Sequence, residues 1–202
     1  MNVLKFWLAP LLAAGLLGGC ASPSPAPVLL TLPPATTPLA SAAPGTPASA
    51  PLLAVRRVNI PEYLVARRVR YRADASLLAE WPNTFWAERI EIGVSREFVS
   101  VLRQQLPGWT LCDTSCGDLV PALSLQVDLV PMDYVRSAGR LQARARIVLS
   151  SGSVPPRELK SLEASYDLPA SGDTAQAHAQ AISELIRQVA QAASPMVNSA
   201  PR

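Results

Sequence analysis

The chain has 202 residues, 49% of them hydrophobic and 16% charged, with a formal charge of +3. That length holds one ordinary domain with enough chain to bury a core. Of its 18 basic residues 16 are Arg. No run of basic residues is interleaved with aromatics, which argues against a nucleic-acid partner.

The amino terminus sets the compartment. Lys5 precedes an apolar stretch from Phe6 to Leu17, and Gly18-Gly19 lead into Cys20. A cationic start, a short apolar core and small residues before a cleavage point describe a secretory signal peptide over residues 1–19. The core is too short for a permanent membrane span. Leu17-Gly18-Gly19-Cys20 resembles the bacterial lipobox, whose cysteine receives acyl chains after cleavage; an ordinary signal peptide with an incidental cysteine is the alternative. Several acyl chains hold a protein on a membrane far more firmly than one. Ala21 and Ser22 follow instead of Asp, which favours the outer membrane over the inner. The expected product is a periplasm-facing, lipid-anchored globule.

Residues 20–51 form a low-complexity segment. Between Ala21 and Pro51 no residue is charged, and nine of the 31 are Pro. Such a stretch reads as an extended, semi-rigid spacer. Val28-Leu-Leu-Thr-Leu32 breaks the pattern and is a candidate strand over 28–32. The folded domain is expected over 52–194, followed by a tail over 195–202.

Within the domain, Leu52–Ile60 is apolar with Arg56 and Arg57 inserted, and reads as a strand that Pro61 stops. Val69–Arg72 and Ala75–Leu78 are short strand candidates. Trp86, Ile90, Val94, Phe98, Val101 and Leu102 recur every three or four residues and predict a helix that ends at Leu106-Pro107-Gly108. Leu123–Leu129, Leu141–Leu149 and Leu162–Leu168 alternate apolar and polar residues, predicting three strands of an antiparallel meander with one wet face. That face would bring Arg144 and Arg146 near Asp128, Glu163 and Asp167, as a cross-strand charge ladder or as an anion-binding patch. A last helix runs from Thr174 to Ala193 with Asp173 as its N-cap, and Ser194-Pro195 ends it. The fold class is α/β in the α+β sense: a single mixed, largely antiparallel sheet with two helices packed on one face.

Cys112 and Cys116 are the remaining cysteines. In an oxidising compartment a disulfide between them is expected, with two free thiols or half of a metal site as alternatives. A zinc site would need two more ligands, and His178 is the one histidine. The catalytic inventory is thin. Gly93-Val-Ser-Arg-Glu97 lacks the second glycine of a nucleophile elbow, a Ser–Lys dyad would rest on Lys160, and no phosphate loop, dinucleotide fingerprint or metal-helix motif is present. The expectation is a non-enzymatic protein without cofactor or metal.

Val55-Arg-Arg-Val-Asn-Ile-Pro61-Glu62-Tyr63-Leu64 resembles the V-x-x-V-x-(I/V)-P-(D/E)-Y-L segment of the ABC-type transport auxiliary lipoproteins, the PqiC-like family. Phe85-Trp86-Ala87-Glu88 resembles the family's helix start and Leu102–Gly108 its helix end. Val28–Leu32 occupies the place of the family's first strand, with Val28 and Leu29 where tyrosines are usual, so Pro33–Pro51 would be an insertion between strands one and two. The resemblance implies a fold similar to the amino-terminal domain of TolB. It also implies an accessory role in MCE-type transport of lipids between membranes, and no catalytic residues. The partners it implies are the membrane and an MCE-domain tunnel protein, and it leaves a homo-oligomer open. A structural or assembly lipoprotein of the envelope is the alternative. Pro61, Glu62, Tyr63 and Leu64 form the candidate interaction surface, since loops at strand ends commonly carry function and Tyr and Leu suit interface cores; a plain cap on the core is the competing role.

Overall fold

The computed structural model describes residues 25–34, 50–113 and 116–200. The signal peptide, Cys20 and most of the Pro-rich segment lie outside the described residues.

The three alternating runs become the long strands of the sheet: β6 (Leu123–Val135), β7 (Arg140–Ser151) and β8 (Glu158–Pro169). They pair antiparallel in chain order. Leu123, Leu125, Val127 and Leu129 are buried, as are Leu141, Ile147 and Leu149 on β7, so the period-two pattern puts one face of the meander into the core. The other edge of β6 is divided. β2 (Leu52–Val55) runs parallel to its first part, with Leu53 opposite Leu123. An isolated bridge joins Asn59 to Asp128, and β3 (Arg68–Arg72) meets its end at Val135. β4 (Leu78–Trp86) adds antiparallel to β3, and β1 (Val28–Leu30) adds parallel to β4. β5 (Thr110–Asp113) adds parallel to β2. The result is one eight-stranded mixed sheet whose long pairings are antiparallel and whose short ones are mostly parallel.

Helices α1 (Ile90–Gln105) and α2 (Ala175–Asn198) pack against each other, and α2 lies over β7 and β8. Val94, Phe98 and Leu102 of α1 and Ile182, Leu185, Ile186 and Val189 of α2 join the buried strand residues in a single core.

Some local expectations differ. The run Leu52–Ile60 is a strand only as far as Val55, with an isolated bridge at Asn59. Trp86 ends β4 and does not begin a helix; it faces the same core four residues before Ile90, so its spacing imitates the helical stripe. Ala75–Leu78 is mostly a bend, and the strand starts at its last residue. Asp173 does not cap α2. Thr174 does, its hydroxyl accepting from the Ala177 amide at 3.1 Å, because Asp173 is paired with Arg136. Pro195 does not stop α2, which continues through the first residues of the expected tail to Asn198. The hydrogen bond a proline cannot donate would have gone to the Gln191 carbonyl, and Gln191 is exposed. Beyond it Val197 and Ala200 are buried, which offsets the loss.

β1 constrains the amino-terminal leash. Leu30 and Leu32 are buried, Asn83 donates through its side-chain amide to the Pro25 and Ala26 carbonyls at 2.8 Å each, and Ser183 Oγ donates to the Pro33 carbonyl at 2.7 Å. The chain is therefore held in the domain from Pro25 through Pro33 and again from Pro51, whose carbonyl accepts from Thr110.

Candidate functional site

Pro61 is buried and breaks the chain away from β6, and Glu62–Leu64 form a single 3-10 turn behind it. Glu62 is exposed, Tyr63 is half-buried, and Leu64 packs partly against the core. The Tyr63 hydroxyl donates to Asp133 Oδ1 at 2.9 Å. Arg72 Nη2 lies 3.0 Å from both oxygens of the same carboxylate, and the guanidinium sits 5.5 Å from the Tyr63 ring centre. Arg70 donates to the Tyr63 carbonyl at 2.9 Å and also approaches Glu80 at 3.3 Å. Burial, and then the Asp133 carboxylate, push the Tyr63 hydroxyl above its ordinary value, so it remains a donor. The same carboxylate raises the Arg72 guanidinium. The turn is thus bound to the ends of β3 and β6, with Glu62 exposed and Tyr63 and Leu64 partly so.

Behind this end of the sheet runs a column of rings. Tyr71 lies 5.1 Å from Trp81, Trp81 lies 6.3 Å from Tyr134, and Tyr134 stacks on His178 at 4.5 Å. Trp86 meets His178 edge-on at 6.4 Å. Arg136 covers the outer end, 4.3 Å from the Trp81 ring, and pairs with Asp173 through Nε at 2.8 Å. Its hydrogen bond holds the Asp173 carboxyl below the usual range. His178 is buried, its Nδ1 finds no hydrogen-bond partner among the described residues, and burial pushes it down to about 3. A neutral imidazole among aromatic rings is a packing element with no carboxylate to orient it.

Cys112 and Cys116 are bonded to each other, with Cα atoms 5.3 Å apart. On the wet face of the meander Asp128, Arg146 and Glu163 stand in one row, and Arg144 stands opposite Ser165. Arg140, outside the expected set, takes Asp167 at 2.6 Å. This is the arrangement of a charge ladder, worth tenths of a kcal/mol per pair. Among the described residues no cluster of three or more His, Cys, Asp or Glu could hold a metal ion, and no helix is long and apolar enough to cross a membrane.

The model of the ABC-type transport auxiliary lipoprotein component family matches residues 30–193, from the last residue of β1 into α2. The chain belongs to this family. It is an accessory-component family and not an enzyme family. A search of curated proteins finds no match. Among solved structures, one of an uncharacterized protein is similar at 18% identity and a TM-score of 0.66, covering 86% of this chain and 99% of its own. Protein XCC0632 from Xanthomonas campestris is similar at 17% identity and a TM-score of 0.59, covering 85% and 92%. These two similarities speak for the fold.

Two features escaped sequence reading. Asp133, the hub of the turn, is an unremarkable polar residue of a strand, and its partner Tyr63 is 70 positions away. The second is a cleft between the end of β2 and α1, where Arg56 and Arg57 meet Arg96 and Arg103. The interruption of an apolar strand by two arginines was its only local signal.

Proposed function

We propose that this protein is a lipid-anchored accessory subunit of an MCE-type system that moves lipids between membranes, held on the periplasmic side of the outer membrane by acyl chains on Cys20. It works by binding a tunnel-forming MCE-domain protein, not by catalysis. The family match over residues 30–193 carries this reading. The signal-peptide pattern ending at Cys20 and the thin catalytic inventory support it.

The sheet position of β1 adds a distance. From Cys20 to Pro25 is five residues, which span at most roughly 18 Å when extended. The domain is therefore held close to the anchoring membrane and does not reach across the periplasm on a long leash. The Pro61–Leu64 turn is part of the docking surface in this reading, through Glu62 and the outward edge of Tyr63. Mass spectrometry of the mature amino terminus should find an acylated Cys20. The protein, extracted in mild detergent, should retain an MCE-domain partner, and Glu62→Arg should weaken that association without lowering the melting temperature. An unmodified terminus would remove the anchor, and a protein that retains no such partner would remove the transport role.

A further inference from the structure

Most arginines of this domain are neutralised close by. Arg68 and Arg70 share Glu80, Arg72 holds Asp133, Arg136 holds Asp173, Arg140 holds Asp167 and Arg187 holds Glu184. Arg56, Arg57 and Arg103 are exposed, and no carboxylate among the described residues pairs with them. These three are not scattered. Together with Arg96 they border one cleft of about 320 Å³.

The cleft follows from the sheet. Val55 opposite Asp113 is the last rung between β2 and β5, so Arg56 and Arg57 emerge where the sheet edge opens. Their backbone is held on both sides. The Arg56 amide donates to the Leu125 carbonyl at 2.9 Å, and the Val58 amide donates to Ser95 Oγ at 3.0 Å. Ser95 in turn donates to the Glu91 carbonyl at 2.7 Å, which ties this segment to α1. The floor is apolar, made by Val55 and Val99, with Ile92 at the rim, 40% exposed. Asp113 is the one acid on the lining. Arg96 already serves Glu88 and Glu97.

Three unpaired guanidiniums gathered at one opening create a local positive potential that an anion relieves. The planar fork of Arg fits phosphate oxygens in pairs. An apolar floor adds nothing for a bare ion and favours one that carries an apolar body. The volume lies at the lower end of small-molecule sites. We propose that the cleft binds the phosphate of an anionic phospholipid at Arg56, Arg57 and Arg103, with the glycerol and first methylenes over Val55, Val99 and Ile92. The inference rests on this cleft alone and stands whether or not the transport reading does.

The test is calorimetric titration of the full-length lipoprotein in a nonionic detergent with water-soluble dihexanoyl phosphatidylglycerol. Dihexanoyl phosphatidylcholine, glycerol 3-phosphate and hexaglutamate are the comparison probes. Wild type and variants share the same micelles, so partition of the lipid cancels between them. Phosphatidylglycerol should bind, and Arg57→Glu/Arg103→Glu should weaken it at least tenfold at an unchanged melting temperature. Ile92→Ser should weaken the lipid and leave glycerol 3-phosphate unaffected. If the charge-reversed pair lowers the melting temperature, Arg103→Gln alone should still weaken lipid binding several-fold. Equal affinity in wild type and variants overturns the proposal. So does glycerol 3-phosphate or phosphatidylcholine binding as tightly as phosphatidylglycerol, or hexaglutamate binding where the lipid does not.

Discussion

His178 makes the stability of this domain fall with acidity in a range where carboxylates are still ionised. It is buried between Tyr134 and Trp86, and burial moves it from its ordinary 6.5 to about 3. The folded value is the depressed one. The contribution is therefore fully present above pH 6.5 and is lost as the pH falls towards 3, because the unfolded chain takes up a proton that the folded one refuses. One proton corresponds to about 1.4 kcal/mol per pH unit, so roughly 3 kcal/mol is lost by pH 4.5 and roughly 4 kcal/mol by pH 3, where the folded imidazole is itself half protonated. Urea unfolding at pH 7, 6, 5 and 4.5 measures the slope, and His178→Phe, which keeps a ring against Tyr134, should flatten it. The variant's absolute stability does not matter, since the comparison is between slopes. This is the one histidine in the chain, so its Cε1 proton resonance is assigned without ambiguity and should not titrate above pH 4.5 in the folded protein. A midpoint near 6.5, or parallel stability curves for wild type and His178→Phe, would refute the reasoning.

Trp86→Ala removes a side chain that is 5% exposed and edge-on to His178; it should cost roughly 3–5 kcal/mol, and a melting temperature within a few degrees of wild type would exclude a core role. Asp133→Ala strands the Tyr63 hydroxyl and the Arg72 guanidinium together and should cost roughly 2–4 kcal/mol in urea unfolding, against about 1 kcal/mol for Tyr63→Phe. Cys116→Ser opens a loop of five residues and should cost about 2 kcal/mol or less, read as a small drop in melting temperature. Gly152 donates to the Ala122 carbonyl, and a Cβ there would lie 1.6 Å from the Pro121 carbonyl oxygen; Gly152→Ala should cost about 1–3 kcal/mol and shift the amide resonances of both segments, whereas an unperturbed spectrum would contradict that packing.

The legible parts of this fold are those in which one short-range regularity has no competitor. The three meander strands alternate over many residues, so their order and buried faces followed from period two, whereas the cross-strand partners did not: Asp167 pairs with Arg140 and Arg144 stands opposite Ser165. β4 was missed because Pro82 and Asn83 interrupt it. Asn83 adopts a φ of +48° there and holds the incoming chain at Pro25 and Ala26, a role set by a segment 57 positions away. The capping of α2 shows the same competition at closer range. Asp173 and Thr174 are both competent caps, and Arg136, brought alongside by the β6–β7 turn, takes the aspartate and leaves the threonine.

The candidate sites fall on the illegible side for the same reason. Tyr63 was visible as a turn residue, but its fixation by Asp133 depends on β6 running past β3, which no local pattern encodes. The arginine cleft has one wall from the segment after β2 and another from α1, so its charge is divided between two segments far apart in the chain. Taken singly, each of its arginines is an ordinary exposed residue. Arg67, Arg144, Arg146 and Arg157 also form no ion pair among the described residues; what distinguishes Arg56, Arg57 and Arg103 is that three arginines without a carboxylate partner line one cleft. That is a property of the folded surface. A positive field left uncompensated inside the molecule is most simply compensated from outside it, which is why a binding role at this edge of the sheet is the natural reading of the cleft.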